Sequence, residues 1–299
     1  MSFKNTKQLG FLAALFSAVA WSTTGIFVRF LKDFSALEII AGRCFIGLIF
    51  ILLFFLIRQN SLGKKIWKSK QAWGLGTLMA CYFMLVVISY QIAPVAEVSI
   101  LTNTTPLFAL IYKRSKGLLI SSQEIWGISL GMIGVILVVI SGNSSPQFSS
   151  GTLHLLGDFM ALIAGAAMAL YSIIYSNIPM EKKPSSQLAS FFTFFVGSAV
   201  SLLIVGFSGD VGTIINSLDF NALYFFLALG ILATLLPTLC YAYASSILAS
   251  VTVTSLRLLT PLLAAFLAII FLDEIPGFLF WPGALILLIG LFLIIKSKT

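Results

Sequence analysis

The sequence predicts an all-α integral membrane protein whose ten transmembrane helices form two inverted five-helix repeats. Three observations carry that prediction. Of the 299 residues, 59% are hydrophobic and only 9% are charged, whereas soluble chains run at about 25% charged. The polar residues that would clothe a soluble surface are missing, so lipid is the solvent. The apolar residues fall into ten runs, most of them about as long as a bilayer is thick. And the second half of the chain repeats the pattern of the first. These facts exclude a soluble enzyme, a disordered chain and a secreted disulfide scaffold. Cys44, Cys81 and Cys240 stand far apart inside apolar runs, without metal-ligand spacing, and read as packing residues.

The ten runs span residues 10–31, 36–57, 72–90, 95–112, 124–141, 154–175, 187–207, 221–242, 246–270 and 277–295. Lys4, Lys7 and Ala18-Val19-Ala20 resemble a cleaved export signal. Apolar character nevertheless continues to Phe30, which makes the first run a spanning helix. Basic residues orient the helices. Lys4 and Lys7 precede the first; Arg58, Lys64, Lys65, Lys68 and Lys70 follow the second. Lys113, Arg114 and Lys116 follow the fourth, Lys182 and Lys183 the sixth, and Lys296 and Lys298 the tenth. These are 14 of the 18 Lys and Arg, all on one side, which the positive-inside rule makes cytoplasmic. Loops 91–94, 142–153, 208–220 and 271–276 have no Lys or Arg. Arg29 and Lys32 are the exceptions on that opposite side. Both termini are therefore expected in the cytoplasm. The net charge of +8 marks topology; no basic face with interleaved aromatics points to nucleic acid.

Thr105-Pro106-Leu107-Phe108-Ala109 matches Thr260-Pro261-Leu262-Leu263-Ala264. Gly127 and Gly134 match Gly283 and Gly290, and the stretch from Ser35 to Gly47 matches that from Ser185 to Gly197. The halves are 9–142 and 151–297, together one membrane unit. Five helices per half is an odd number, so the second half enters the membrane upside down. Inverted repeats are an architecture of secondary transporters, with the solute near the midplane between the halves.

On these residues the chain resembles the drug/metabolite transporter superfamily, in its ten-helix EamA branch. The carriers are Thr105-Pro106, Thr260-Pro261 and the Leu272-Asp273-Glu274 turn followed by Gly283 and Gly290. Trp21 and Arg43 also fit the family's pattern. The resemblance covers the whole chain and implies a carrier, with efflux its expected direction, in a bacterial inner (cytoplasmic) membrane. Leu118 stands where the family has a turn Glu, a residue expected to cap the following helix.

Charges inside lipid are costly and mark function. Arg43 lies in the second helix and Arg257 near the middle of the ninth, beside Thr252, Thr254, Ser255 and Thr260. Pairing of Arg43 with Glu97 is expected, with Glu38 and Glu97 near helix ends where water reaches them. Arg257 has no acid at its depth, which suits a carboxylate or phosphate on the solute. Trp21, Tyr82, Tyr90, Asn103, Tyr171 and Tyr241 complete the expected substrate-binding set, although aromatics in apolar helices are more often packing residues. Pro106 and Pro261 each remove a backbone hydrogen bond mid-helix and are expected hinges or kinks. Gly127 and Gly131 form a GxxxG step, expected to pack helices within the chain or in a homodimer. His154 reads as interfacial.

No nucleophile–base pair, Walker motif or metal-ligand motif is present, so neither enzyme activity nor a cofactor or metal is expected. The sequence reads as a secondary transporter of small metabolites, monomeric or homodimeric, exporting amino acids or related carboxylate-bearing compounds by alternating access. Its runners-up are an uptake or exchange carrier for a nucleotide-like or cofactor-like solute, and a non-transporting scaffold. No acid lies at the midplane, so proton coupling, exchange and uniport all stay open.

Overall fold

The computed structural model describes residues 3–57, 66–117, 121–140, 152–208, 218–248, 253, 256–257 and 259–296. Among these, ten apolar helices succeed one another: α1 (Lys7–Phe30), α2 (Ala36–Ile57), α3 (Lys70–Ile92), α4 (Val95–Ser115), α5 (Ser122–Ile140), α6 (Thr152–Asn177), α7 (Ser186–Phe207), α8 (Phe220–Ile247), α9 (Leu259–Leu272) and α10 (Phe280–Ile294). Eight are long and apolar enough to cross a membrane and the last two are shorter. The protein is an all-α membrane protein. Leu56, Ile57, Trp126, Phe159, Leu203 and Phe266 are exposed, the outward apolar surface that lipid contact requires.

Capping starts the helices where the sequence supplies a short polar side chain. Ser35 and Glu38 form a reciprocal capping box at α2, and Ser121 and Glu124 form another at α5. Lys113 of α4 binds both oxygens of Glu124 at 2.9 Å. The cap of α5 thus comes from Ser121 and Glu124; Leu118, where a turn Glu was expected, lies outside the described residues.

The halves pack against each other in pairs that a two-fold axis would generate: α1 on α8 and α3 on α6, then α2 on α7, α4 on α9 and α5 on α10. Reciprocal glycine contacts repeat the pattern. A Cβ on Gly197 would meet Cys44 Sγ at 2.7 Å, while one on Gly47 would meet Phe194 Cδ1 at 3.0 Å. A Cβ on Gly134 would lie 2.5 Å from the Leu287 nitrogen, and one on Gly290 would lie 2.6 Å from the Gly131 nitrogen. The GxxxG step of α5 therefore packs inside the chain, on α10. Close backbone approach is what small residues provide in lipid, where no hydrophobic drive joins helices.

Gly290→Val tests this crossing. Its new side chain meets backbone, which cannot swing aside, so the helices must part. Destabilisation of about 1–3 kcal/mol is expected, read as earlier unfolding in a denaturing-detergent titration. Gly74→Ala meets nothing within 4 Å and should leave the midpoint where it is or raise it.

Three helices are interrupted. Helix α1 has a turn at Thr23 between Phe3–Ser22 and Thr24–Phe30. Helix α4 breaks at Asn103-Thr104, and Pro106 stands in the first turn of its second piece, Thr105–Ser115. Helix α8 widens into a π-turn over Ile231–Leu235 just before Pro237, whose missing N–H leaves the ladder unpaired there. Pro261 lies in the first turn of α9. Thr252, Thr254 and Ser255, from the first part of the expected ninth helix, lie outside the described residues.

Candidate functional site

The break in α4 sits inside the bundle and opens carbonyls that lipid cannot satisfy. The Thr102-Asn103-Thr104-Thr105 run answers them locally. Asn103 Nδ2 donates to the Ser99 carbonyl at 2.8 Å, Thr102 Oγ1 to the same carbonyl at 3.0 Å, and Thr104 Oγ1 to that of Leu101 at 2.7 Å. Gly165 of α6 presses against this run; a Cβ there would stand 3.0 Å from Thr104 Oγ1. A run of polar side chains thus reaches the centre of an apolar bundle.

Beside it lies a narrow cavity lined by Trp21, Thr24, Arg43, Tyr82, Tyr90 and Asn103, among others. The gaps between its side chains hold about one water, so no metabolite enters without helix movement. Arg257 borders this region and is 2% exposed. Its guanidinium carbon sits 5.0, 5.8 and 5.5 Å from the ring centres of Trp21, Tyr82 and Tyr241. That is an aromatic cage around a cation. Nη2 donates to the Tyr82 hydroxyl at 3.2 Å, while among the described residues Nε and Nη1 have no hydrogen-bond partner. The Trp21 indole N–H and the Thr24 hydroxyl are also unpartnered among the described residues. Buried donors left unpaired cost free energy, and here they gather in one place.

Arg43 is fully buried, but it does not pair with Glu97. Its Nε donates to Thr234 Oγ1 at 2.8 Å and its Nη2 to the Ala233 carbonyl at 3.3 Å. Both acceptors belong to the π-turn of α8, whose widened backbone offers a carbonyl that a regular helix would consume. The guanidinium lies 4.4 Å over the Phe83 ring, and Nη1 stays unpartnered. Thus Arg43 ties α2 to α8 with two of its nitrogens. The Tyr171 ring lies tilted 6.1 Å from that of Tyr241 and is not part of the cavity lining.

Sequence reasoning missed the partners of the acids. Glu97 is not near water: it is 0% exposed, and its Oε2 lies 2.6 Å from His154 Nε2. His154, in the first turn of α6, is likewise buried, and Asp158 Oδ2 is 3.6 Å from the same nitrogen. The ligand atoms of this trio lie within 4.8 Å of one another. His154 and Asp158 are one helical turn apart, which the sequence could have flagged; that Glu97 meets them is a tertiary fact.

Glu274 does not cap the helix that follows it. Its Oε2 accepts the Val95 N–H at 2.8 Å, capping α4, and its Oε1 pairs with Arg29 Nε at 3.0 Å. Arg29 also donates to the Gln91 and Ala93 carbonyls at 3.2 and 2.7 Å. Burial pushes the Glu274 carboxyl above the ordinary range, and Arg29 and the Val95 N–H pull it back. Arg29, one of two positive exceptions in the topology, is a neutralised tie between the halves. Asp273 supplies the turn with φ of 53°.

Two segments of the chain, residues 8–140 and 155–296, match the model of the EamA-like transporter family. The protein belongs to the EamA-like transporter family. It is similar to the uncharacterized inner membrane transporter YedA of Escherichia coli K12, with 25% identity over 89% of this chain and 84% of that one. It is also similar to human solute carrier family 35 member G1, 25% identical over 68% of this chain, and to the uncharacterized transporter YdfC of Bacillus subtilis, 26% identical over 69%. The matches span 56% and 64% of those two proteins. A solved crystal structure superposes with a TM-score of 0.63 over 95% of both chains at 15% identity, which shows the shared fold. The EamA-like chain is a multi-pass membrane protein of a transporter family.

Proposed function

We propose that this transporter carries amino acids or related carboxylate-bearing metabolites outward across a bacterial inner membrane by alternating access. One observation carries the solute class: a caged, buried guanidinium with two unpartnered nitrogens, beside a cavity whose other unpartnered groups include the Trp21 N–H. A carboxylate would accept from Nε or Nη1 together with the second N–H of Nη2, the bidentate geometry that Arg offers and Lys does not. The aromatic rings would hold an apolar or cationic remainder. The tightness of the cavity supports alternating access, since a solute must be admitted by parting the halves.

Flux of a labelled metabolite panel in proteoliposomes tests the reading. Amino acids and small carboxylates should move, and organic cations without a carboxylate should not; cation flux alone overturns the solute class. Orientation has its own test. Reporters fused after Lys68, Lys116, Lys183 and Lys298 should report cytoplasm, and reporters near Asn143 and Asp210 the opposite side. A cytoplasmic signal at Asn143 would remove the inverted repeat.

A further inference from the structure

Two carboxylates and one imidazole, Glu97, Asp158 and His154, stand together at 0%, 1% and 4% exposure. Even with His154 protonated, two ionised acids leave one uncompensated negative charge in a region of low dielectric. Their hydrogen bonding is also incomplete. Among the described residues Glu97 Oε1 and both Asp158 oxygens have no hydrogen-bond partner, although buried acceptors are normally satisfied. The trio therefore lacks one positive charge and donors for its lone pairs.

The surroundings do not supply that charge. At this end of the bundle Arg29 and Glu274 already pair with each other, and Lys32 is exposed, on the rim with Arg29 and Gln91. Lys7, Lys70, Lys113, Arg114 and Glu124 of the packed helices stand at the other end, and Arg257 is in the aromatic cage. Helix α8 has no charged residue.

We propose that Glu97, His154 and Asp158 form the coupling-proton site of this transporter. A metal is disfavoured by spacing: ligands about 2.1 Å from a tetrahedral ion stand about 3.4 Å apart. The 2.6 Å separation of Glu97 from His154 is instead that of a hydrogen bond holding a proton. Uptake forms an O–H bond on a carboxylate as an O–H bond of hydronium breaks, and release reverses this.

The fold links the site to the cavity. Glu97 lies near one end of the short helix Val95–Thr102, and Asn103, a cavity residue, follows its other end. The two are about 9 Å apart along one rigid segment. That segment belongs to the first half, whereas His154 and Asp158 belong to the second. Proton gain or loss changes the charge between the halves, and the rigid segment carries the resulting movement to the break in α4.

This inference rests on the transport reading, so it is tested first without any solute. Infrared titration of the purified protein in nanodiscs between about pH 5 and 8, the range in which histidine-linked sites titrate, should show a protonated-carboxyl C=O band that changes with pH. Glu97→Gln and Asp158→Asn should each diminish the change and the double variant should abolish it. A change that survives the double variant overturns the site. Tight binding of Zn²⁺ alone by the wild type, lost in both variants, would also overturn it and make the trio a metal site. Should the metabolite panel yield a transported solute, wild-type flux should vary with pH by tenfold or so, and Glu97→Gln should flatten the profile. A uniform loss at every pH would reduce the trio to a structural tie. If no solute moves, the carboxylate reading fails while the infrared result still decides the proton site.

Discussion

Replacing Arg257 by Gln is expected to weaken solute binding by about 2–4 kcal/mol, the range for removing one partner of a desolvated charge pair. That is roughly 30- to 1000-fold in Kd. Isothermal titration with a solute that the flux panel identifies would measure it. Gln keeps a polar side chain and the reach toward the Tyr82 hydroxyl, while the charge and the bidentate fork go. Arg257→Lys should recover only part of the loss, since an ammonium is a point charge without that fork. The protein should still fold, because among the described residues the one hydrogen bond of Arg257 within 3.5 Å is that to Tyr82. Unchanged binding in the Gln variant would remove the carboxylate preference. A variant that aggregates in detergent would make Arg257 a structural residue and shift the anchor to Arg43, whose Nη1 is the other unpartnered guanidinium nitrogen at the cavity.

Breaking the Arg29–Glu274 pair should have the largest effect on stability. Glu274 is 3% exposed and Arg29 13%, so Arg29→Met leaves the buried Glu274 carboxylate without its counter-charge, at a cost of about 3–5 kcal/mol. Arg29→Met also loses two hydrogen bonds to the Gln91 and Ala93 carbonyls, and Glu274→Gln weakens the cap on Val95. Each single variant should lower the melting temperature of the detergent-solubilised protein. The double variant Arg29→Met/Glu274→Gln should be more stable than the sum of the single losses predicts, since no lone charge remains. Additive losses would show that the two side chains act separately.

Composition alone determined that lipid is the solvent, because a chain with 9% charged residues cannot clothe itself in water. Apolar run length then gave most helix limits; α2 covers residues 36–57, as its run does. The repeat was legible from spacing, since equivalent glycines must recur where equivalent helices cross. Arg257 could be singled out because an isolated charge in an apolar helix is costly wherever its side chain turns. Partners were another matter. Arg43 found Thr234 and Ala233 because α8 widens into a π-turn, a local change that depends on Pro237 and on the helix packed beside it. Glu97 found His154 and Asp158, and Glu274 found Arg29 and Val95, across separations of 57 and 245 residues. Hydropathy and periodicity report which solvent a residue faces. They carry no distance between helices, and electrostatic pairing in a bundle depends on that distance, so only the tertiary structure decided which charges meet.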